Sequence, residues 1–268
     1  MRRGLVSGRD RAQEEIAAGR VLVRGAPATK AARLVSADEP VALAGPGPRF
    51  VSRGGAKLDA ALDRFGVDPE GRIALDAGSS TGGFTDCLLQ RGAAGVVAVD
   101  VGRGQLHERL RTDPRVTVLE RTNVRHLTLA DLGMDGSPFD LVVADLAFIS
   151  LRTVAPALLG LAAVGADLVL LVKPQFEAGA ADASRERGVI RDPRIWRDTV
   201  ERVLGTFAGH GAAIMGIMVS PLTGAEGNVE FLAHLRMQVG AATAAPLDIG
   251  SAVGTAVDEA VARAATVA

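Results

Sequence analysis

Apolar positions change their period twice along this chain. Over Arg9 to Ala18 they follow helical spacing, with Ala12 and Ile16 inward, Ser7 as N-cap, Asp10 three residues on and Gly19 as the stop. Val21, Leu22 and Val23 then read as a strand, and Gly25-Ala26-Pro27 turns the chain toward a second extended piece ending near Val41. Residues 1–44 are therefore expected to form a small α/β module, and residues 45–49 a proline-stiffened linker. From Phe50 the pattern becomes short apolar runs alternating with amphipathic stretches. The runs are Ile73–Ala77, Gly95–Asp100, Val116–Leu119, Phe139–Asp145 and Asp167–Val172, and they have the continuous hydrophobicity of strands covered on both faces. Helices are expected near 56–65, 83–91, 104–111, 151–163 and 193–208, with two further strands near 212–219 and 229–236. This order predicts an α/β domain over residues 50–240, with a parallel sheet between helical layers. Residues 241–268 read as an alanine-rich tail with a helix near 254–265.

Composition narrows the class. The chain has 268 residues, 48% of them hydrophobic and 23% charged, outside the disordered range. The longest stretch without a charged residue or histidine, Gly211 to Ala225, contains Pro221 and is too short to span a bilayer. With no apolar signal segment at the front, a cytoplasmic location and no membrane partner are expected. A single cysteine, Cys87, excludes an internal disulfide and a cysteine-rich metal site, so no metal is expected. The formal net charge is −1, yet residues 1–57 carry 11 Lys+Arg against 5 Asp+Glu. A basic front end suits a polyanionic partner such as nucleic acid. Only Lys30, Lys57 and Lys173 are lysine among 30 basic residues. An amine that can lose its proton is what arginine cannot replace, which draws attention to Lys57 and Lys173.

The first strand of the larger domain ends at Asp76 and enters Ala77-Gly78-Ser79-Ser80-Thr81-Gly82-Gly83-Phe84. A glycine-rich turn before a helix admits a ligand to free backbone N–H groups. Asp100, ending the next strand, is placed to accept hydrogen bonds from ribose hydroxyls. The motif leads with an acid and lacks the Gly-x-Gly-x-x-Gly spacing of nicotinamide enzymes, which favours S-adenosylmethionine over NAD. Asp76, Gly78, Ser80, Thr81, Gly82, Gly83, Phe84 and Asp100 are the candidate cofactor residues, with Asn123 as a candidate adenine contact. Methyl transfer to a weakly acidic hydroxyl needs alignment and a proton acceptor. Lys57, Asp145, Lys173 and Glu230 are the candidate groups, and Lys173 could serve as the base.

Seven stretches in order, SRGGAKL, LDAGSSTGGFTD, VVAVDVGRGQL, ERTNVR, FDLVVADLAFISL, LVKPQFEAG and EGNVEF, resemble the TlyA-type ribosomal RNA 2′-O-methyltransferases, whose catalytic domain is FtsJ-like. The resemblance covers roughly residues 1–240. It implies a Rossmann-like S-adenosylmethionine-dependent methyltransferase fold and a Lys-Asp-Lys-Glu tetrad that falls on Lys57, Asp145, Lys173 and Glu230. It also implies cytidine ribose methylation in small-subunit and in some cases large-subunit ribosomal RNA, with ribosomal RNA or subunits as partner. The front segment is similar to a small RNA-binding module of ribosomal-protein type, which the family begins several residues earlier, so either the true start lies upstream of Met1 or the module is a pared-down one. Arg2, Arg3, Arg9, Arg11, Arg20 and Arg24 are its candidate phosphate contacts. Three other readings stand beside it: a membrane-active haemolysin, which relatives have been called, an NAD-dependent dehydrogenase on a similar sheet, and an RNA-binding protein with a degenerate enzyme domain.

Overall fold

The five continuous apolar runs become adjacent strands of one sheet. A computed structural model describes residues 3, 5–6, 9–45, 47–132, 138–179, 188–224, 227–238 and 247–267. The chain divides into two units, Met1–Arg49 and Phe50–Ala268. In the first, helix α1 (Arg9–Ala17) precedes strands β1 (Val21–Val23), β2 (Ala26–Pro27) and β3 (Val41–Leu43), which pair antiparallel in the order β2-β1-β3. Arg24 and Gly25, both at positive φ (51° and 80°), make the tight two-residue turn between β1 and β2.

The second unit carries β4 (Ile73–Ala77), β5 (Gly95–Val99), β6 (Val116–Leu119), β7 (Phe139–Ala144), β8 (Ala162–Val172), β9 (Ala212–Val219) and β10 (Phe231–Met237). Their order is β6-β5-β4-β7-β8-β10-β9, with β10 antiparallel to both neighbours and the β6-to-β8 pairs parallel. The helices are α2 (Gly54–Phe65), α3 (Gly83–Gln90), α4 (Glu108–Arg111), α5 (Leu151–Leu161), α6 (Pro174–Glu177), α7 (Pro193–Gly209) and α8 (Ile249–Val267). Side chains alternate along each strand between two cores. Ala74, Val96, Leu141, Val143, Val169 and Leu171 join the core that also takes in Leu58 and Leu62 of α2 and Leu88 of α3. Leu75, Val97, Val142, Leu168, Leu170 and Val172 face the other, with residues of α5, α7 and α8. Burial on both faces is why the strand sequences lack polar alternation.

Three elements differ from expectation. The segment near 104–111 is helical only at Glu108–Arg111, because Gly104 sits at φ 66°, which no right-handed helix tolerates. Helix α5 stops at Leu161, and β8 starts five residues early through an irregular stretch with Gly165 at φ 80° and a register shift opposite Phe139/Leu141. The terminal helix is longer than its alanine content suggested. It buries Val253, Ala256, Val257 and Ala260 and packs on α7 and β9, so this part of residues 241–268 belongs to the second unit's core.

Midway along β8, Asp167 accepts hydrogen bonds from Arg72 (2.7 Å), His234 (2.8 Å) and Arg236 (2.8 and 3.0 Å). Burial raises its pKa, but these donors outweigh burial and hold the carboxyl well below the usual range. The cluster ties the approach to β4 to β8 and β10. Strand order reverses between β4 and β7, whose carboxyl ends therefore open a crevice.

Candidate active site

Beyond β4 the chain turns sharply, with Gly78, Ser80 and Gly82 at φ 87°, 46° and 95°. Asp100, just past β5, holds this turn: its Oδ2 accepts from Ser80 N (2.8 Å) and its Oδ1 from Gly102 N (2.7 Å). A cleft of about 560 Å³ lies alongside, a volume suited to a small-molecule ligand. Gly78, Ser80, Asp100 and Asn123 line it, as does Asp145 beyond β7. Asp100 has lone pairs left for hydroxyls, and Val101 beside it is a 69% exposed apolar side chain against which a flat heterocycle can rest. Asn123 Oδ1 caps a short turn by accepting from Arg125 N (3.0 Å), which leaves its amide NH₂ available. An adenosine bearing a charged tail fits this donor set and shape.

Asp76, Thr81, Gly82, Gly83 and Phe84 are not among the residues that line the cleft. Phe84 is 2% exposed, inside the core with α2, and Gly83 is where α2 approaches α3, since a Cβ there would fall 2.9 Å from Gly55 N. Gly82 lies under Leu106 and Leu110, and the Thr81 carbonyl accepts from His107 N (3.2 Å). Asp76 is fully buried, its Oδ2 accepting from Thr85 Oγ1 (2.6 Å) and its Oδ1 lacking a partner. Burial, with the charges of Asp145 and Asp100, pushes its pKa up to about 7 against the Thr85 hydrogen bonds. Asp76, Gly82, Gly83 and Phe84 are thus buried at the base of the loop, and Thr81 is exposed.

The four candidate catalytic groups form two ion pairs. Lys57, one turn into α2, meets Glu230, the residue before β10, and both are buried. Lys173 Nζ, at the end of β8, lies 2.5 Å from Asp145 Oδ1. Two observations place the pairs side by side. The β8–β10 register matches Phe231 with Val172, so Glu230 and Lys173 are the next facing positions. Gly54, one turn before Lys57, lies with its Cβ direction 3.7 Å from Asp145 Oδ2. The inner pair is the deeper, and the Lys173–Asp145 pair borders the cleft.

One residue escaped the sequence reading. Phe148, at φ 63° and 92% exposed, lines the cleft and meets Phe176 in a tilted contact, with ring centroids 5.3 Å apart and ring planes 52° apart. Lys173 Nζ lies 5.8 Å from the Phe176 ring. An aromatic three residues beyond the Asp145 carboxylate was the available signal. Among the described residues no cluster of three metal-ligating side chains occurs.

The basic front end is more internally engaged than its charge suggested. Arg3 donates to the carbonyls of Ser36 (2.8 Å), Ala37 (2.9 Å) and Glu39, so it serves its own unit and is no free phosphate contact. Arg20 pairs with Glu15 (2.5 Å) and Arg24 with Glu39 (3.0 Å). Arg2 and the side chains of Arg9 and Arg11 lie outside the described residues.

Comparison with known proteins agrees with this geometry. The sequence profile of the FtsJ-like methyltransferases matches residues 50–237. The 16S/23S rRNA (cytidine-2′-O)-methyltransferase TlyA of Mycobacterium tuberculosis is 49% identical over 246 residues, 91% of this chain and 90% of that one. Hemolysin A of Brachyspira hyodysenteriae is 37% identical over 231 residues, 86% of this chain and 95% of its own length. A solved structure from Streptococcus thermophilus, provisionally named a hemolysin, is 36% identical with a TM-score of 0.77, covering 98% of this chain and 94% of that one. The hemolysin names fall on the same stretch as the methyltransferase match and mark no separate lineage. By its profile, its relatives and the two ion pairs beside a glycine-rich cleft, the chain belongs to the FtsJ-like methyltransferase family.

Proposed function

We propose that this protein methylates the ribose 2′-hydroxyl of cytidines in ribosomal RNA, in the cytoplasm, with S-adenosylmethionine as donor. The observation that carries the reading is that Asp145, paired with Lys173, lines a cleft that suits an adenosine, while Glu230, paired with Lys57, takes the position facing Lys173 across β8 and β10. When bound, the cofactor supplies an electrophilic methyl on a sulfonium. The protein's own residues do the rest. Asp100 and Asn123 would hold the nucleoside part, and Gly78 and Ser80 border it with main chain.

A 2′-hydroxyl entering between the cleft and the outer pair would meet Lys173, whose amine, after giving up to solvent the proton it carries in the pair with Asp145, would take the hydroxyl's proton as the oxygen bonds to the methyl carbon and the methyl–sulfur bond breaks to leave a neutral thioether. Asp145 stabilises the ammonium that forms, and Lys57, fixed by Glu230, adds positive charge beside the developing alkoxide. Phe148 offers an exposed face on which a nucleobase turned out of its stack can rest. The basic front end supplies sequence-independent attraction to phosphates. Mapping 2′-O-methyl groups on ribosomal RNA incubated with cofactor and protein tests the reading. New cytidine ribose methylation, absent with Lys173→Ala, is the expected result, and methylation unaffected by that change rejects the mechanism.

A further inference from the structure

We infer that Glu177 is a positioning residue that fastens the Asp145 loop to the Lys173 turn and so sets the geometry of proton removal. The inference rests on the reading that Lys173 and Asp145 perform that step. These two residues end different strands, and nothing in β7 or β8 itself fixes the loops beyond them. Lys173 leads into α6, a single turn started by Pro174 and ended by Glu177. Glu177 is 3% exposed, and its carboxylate reaches the loop that Asp145 begins: Oε2 accepts from Ser150 Oγ (2.5 Å) and Oε1 from Leu151 N (2.6 Å). Ser150 Oγ in turn accepts from Arg152 N (3.1 Å), so one network caps α5 and closes the clasp. Arg152 Nε, 3.5 Å from Oε2, adds an opposite charge, and the amino-terminal end of α5 favours an anion there.

The clasp lies five residues past Asp145 and four past Lys173, and it encloses Phe148 in its unfavourable positive-φ conformation. Such a backbone persists only where its surroundings over-determine it. Loss of the clasp would free the loop to relax, moving Asp145 and Phe148 relative to Lys173. Misplacement by about 1 Å costs roughly a hundredfold in rate where reacting groups must be aligned.

The test compares Glu177→Ala, Glu177→Gln and Ser150→Ala by kcat, KM for RNA and calorimetric affinity for S-adenosylmethionine. Glu177→Ala should lower kcat by about 10- to 100-fold with cofactor affinity kept within about twofold. Glu177→Gln, which keeps an acceptor for Leu151 N, should recover most of that loss. Should Glu177→Ala fail to fold, Ser150→Ala removes one of the two hydrogen bonds and should still lower kcat severalfold. Unchanged kcat in the folded variants, or a loss matched by lost cofactor binding, overturns the clasp. Full activity of Lys173→Ala, run in parallel, would instead overturn the base assignment and the clasp's role with it.

Discussion

Gly78 lies so close to the main chain of Asp145 that a Cβ on it would fall 2.6 Å from the Asp145 carbonyl oxygen. The cofactor loop and the catalytic loop are thus in backbone contact across the β4–β7 crevice. Gly78 is also at φ 87°, where a side chain is strained. Gly78→Ala should therefore weaken S-adenosylmethionine binding at least tenfold and lower the melting temperature, both measurable on the purified protein. Retained affinity would mean the loops can part without cost.

Lys173→Ala should reduce methyl transfer by about 10² to 10⁴, the range of a general base, while leaving cofactor affinity within about threefold. Single-turnover rates with saturating RNA, set beside calorimetry, separate the two effects.

The inner ion pair permits stability and catalysis to be uncoupled. Lys57→Met leaves Glu230 buried without its counter-charge and should cost about 3 kcal/mol of unfolding free energy. Adding Glu230→Met should restore most of that stability without restoring activity. A double variant as unstable as the single one would show that the pair does more than neutralise itself.

Asp100→Ala strips the acceptor from Ser80 N and Gly102 N as well as from the ligand. With an unsatisfied polar group worth about 1–3 kcal/mol, cofactor affinity should fall roughly 10- to 100-fold. Circular dichroism should show an unchanged fold.

Asp76 gives a pH signature. Burial raises its pKa to about 7 from an ordinary 3.8, so the folded state holds a proton that the unfolded state releases earlier. Stability from this group is present in acid and declines as pH rises from about 4 to about 7, by at most about 4 kcal/mol. Asp76→Asn, neutral at every pH, should flatten that part of the curve. Melting temperatures of both proteins between pH 5 and 8 would decide it, and parallel curves would count against a buried protonated carboxyl.

Sequence pattern located the strands of the large sheet because burial on both faces leaves uninterrupted apolar runs, and it set Asp145 and Lys173 at strand ends, while the scarcity of lysine and the family resemblance added Lys57 and Glu230. It is silent where an outcome depends on three-dimensional company. Phe84 and Asp76 sit in the same glycine-rich motif as Gly78, and only their strand and helix facing sends them to the core. Phe148 is exposed at a positive φ of 63°, which nothing in the residues around it announces. The pairing of Arg3 with carbonyls of residues 36, 37 and 39 leaves no local trace, since the partners are main-chain groups that any residue carries.

Strand β10 runs against its neighbours, which brings its beginning, rather than its end, to the edge where Lys173 waits. Glu230 is consequently the last of the four groups to be synthesised, 173 residues after Lys57. A nascent or truncated chain that stops short of Glu230 holds the Lys57 ammonium without its carboxylate partner and lacks the strand between β8 and β9. Competence therefore arrives only with the final third of the polypeptide, and fragments from premature termination would have no means of marking RNA.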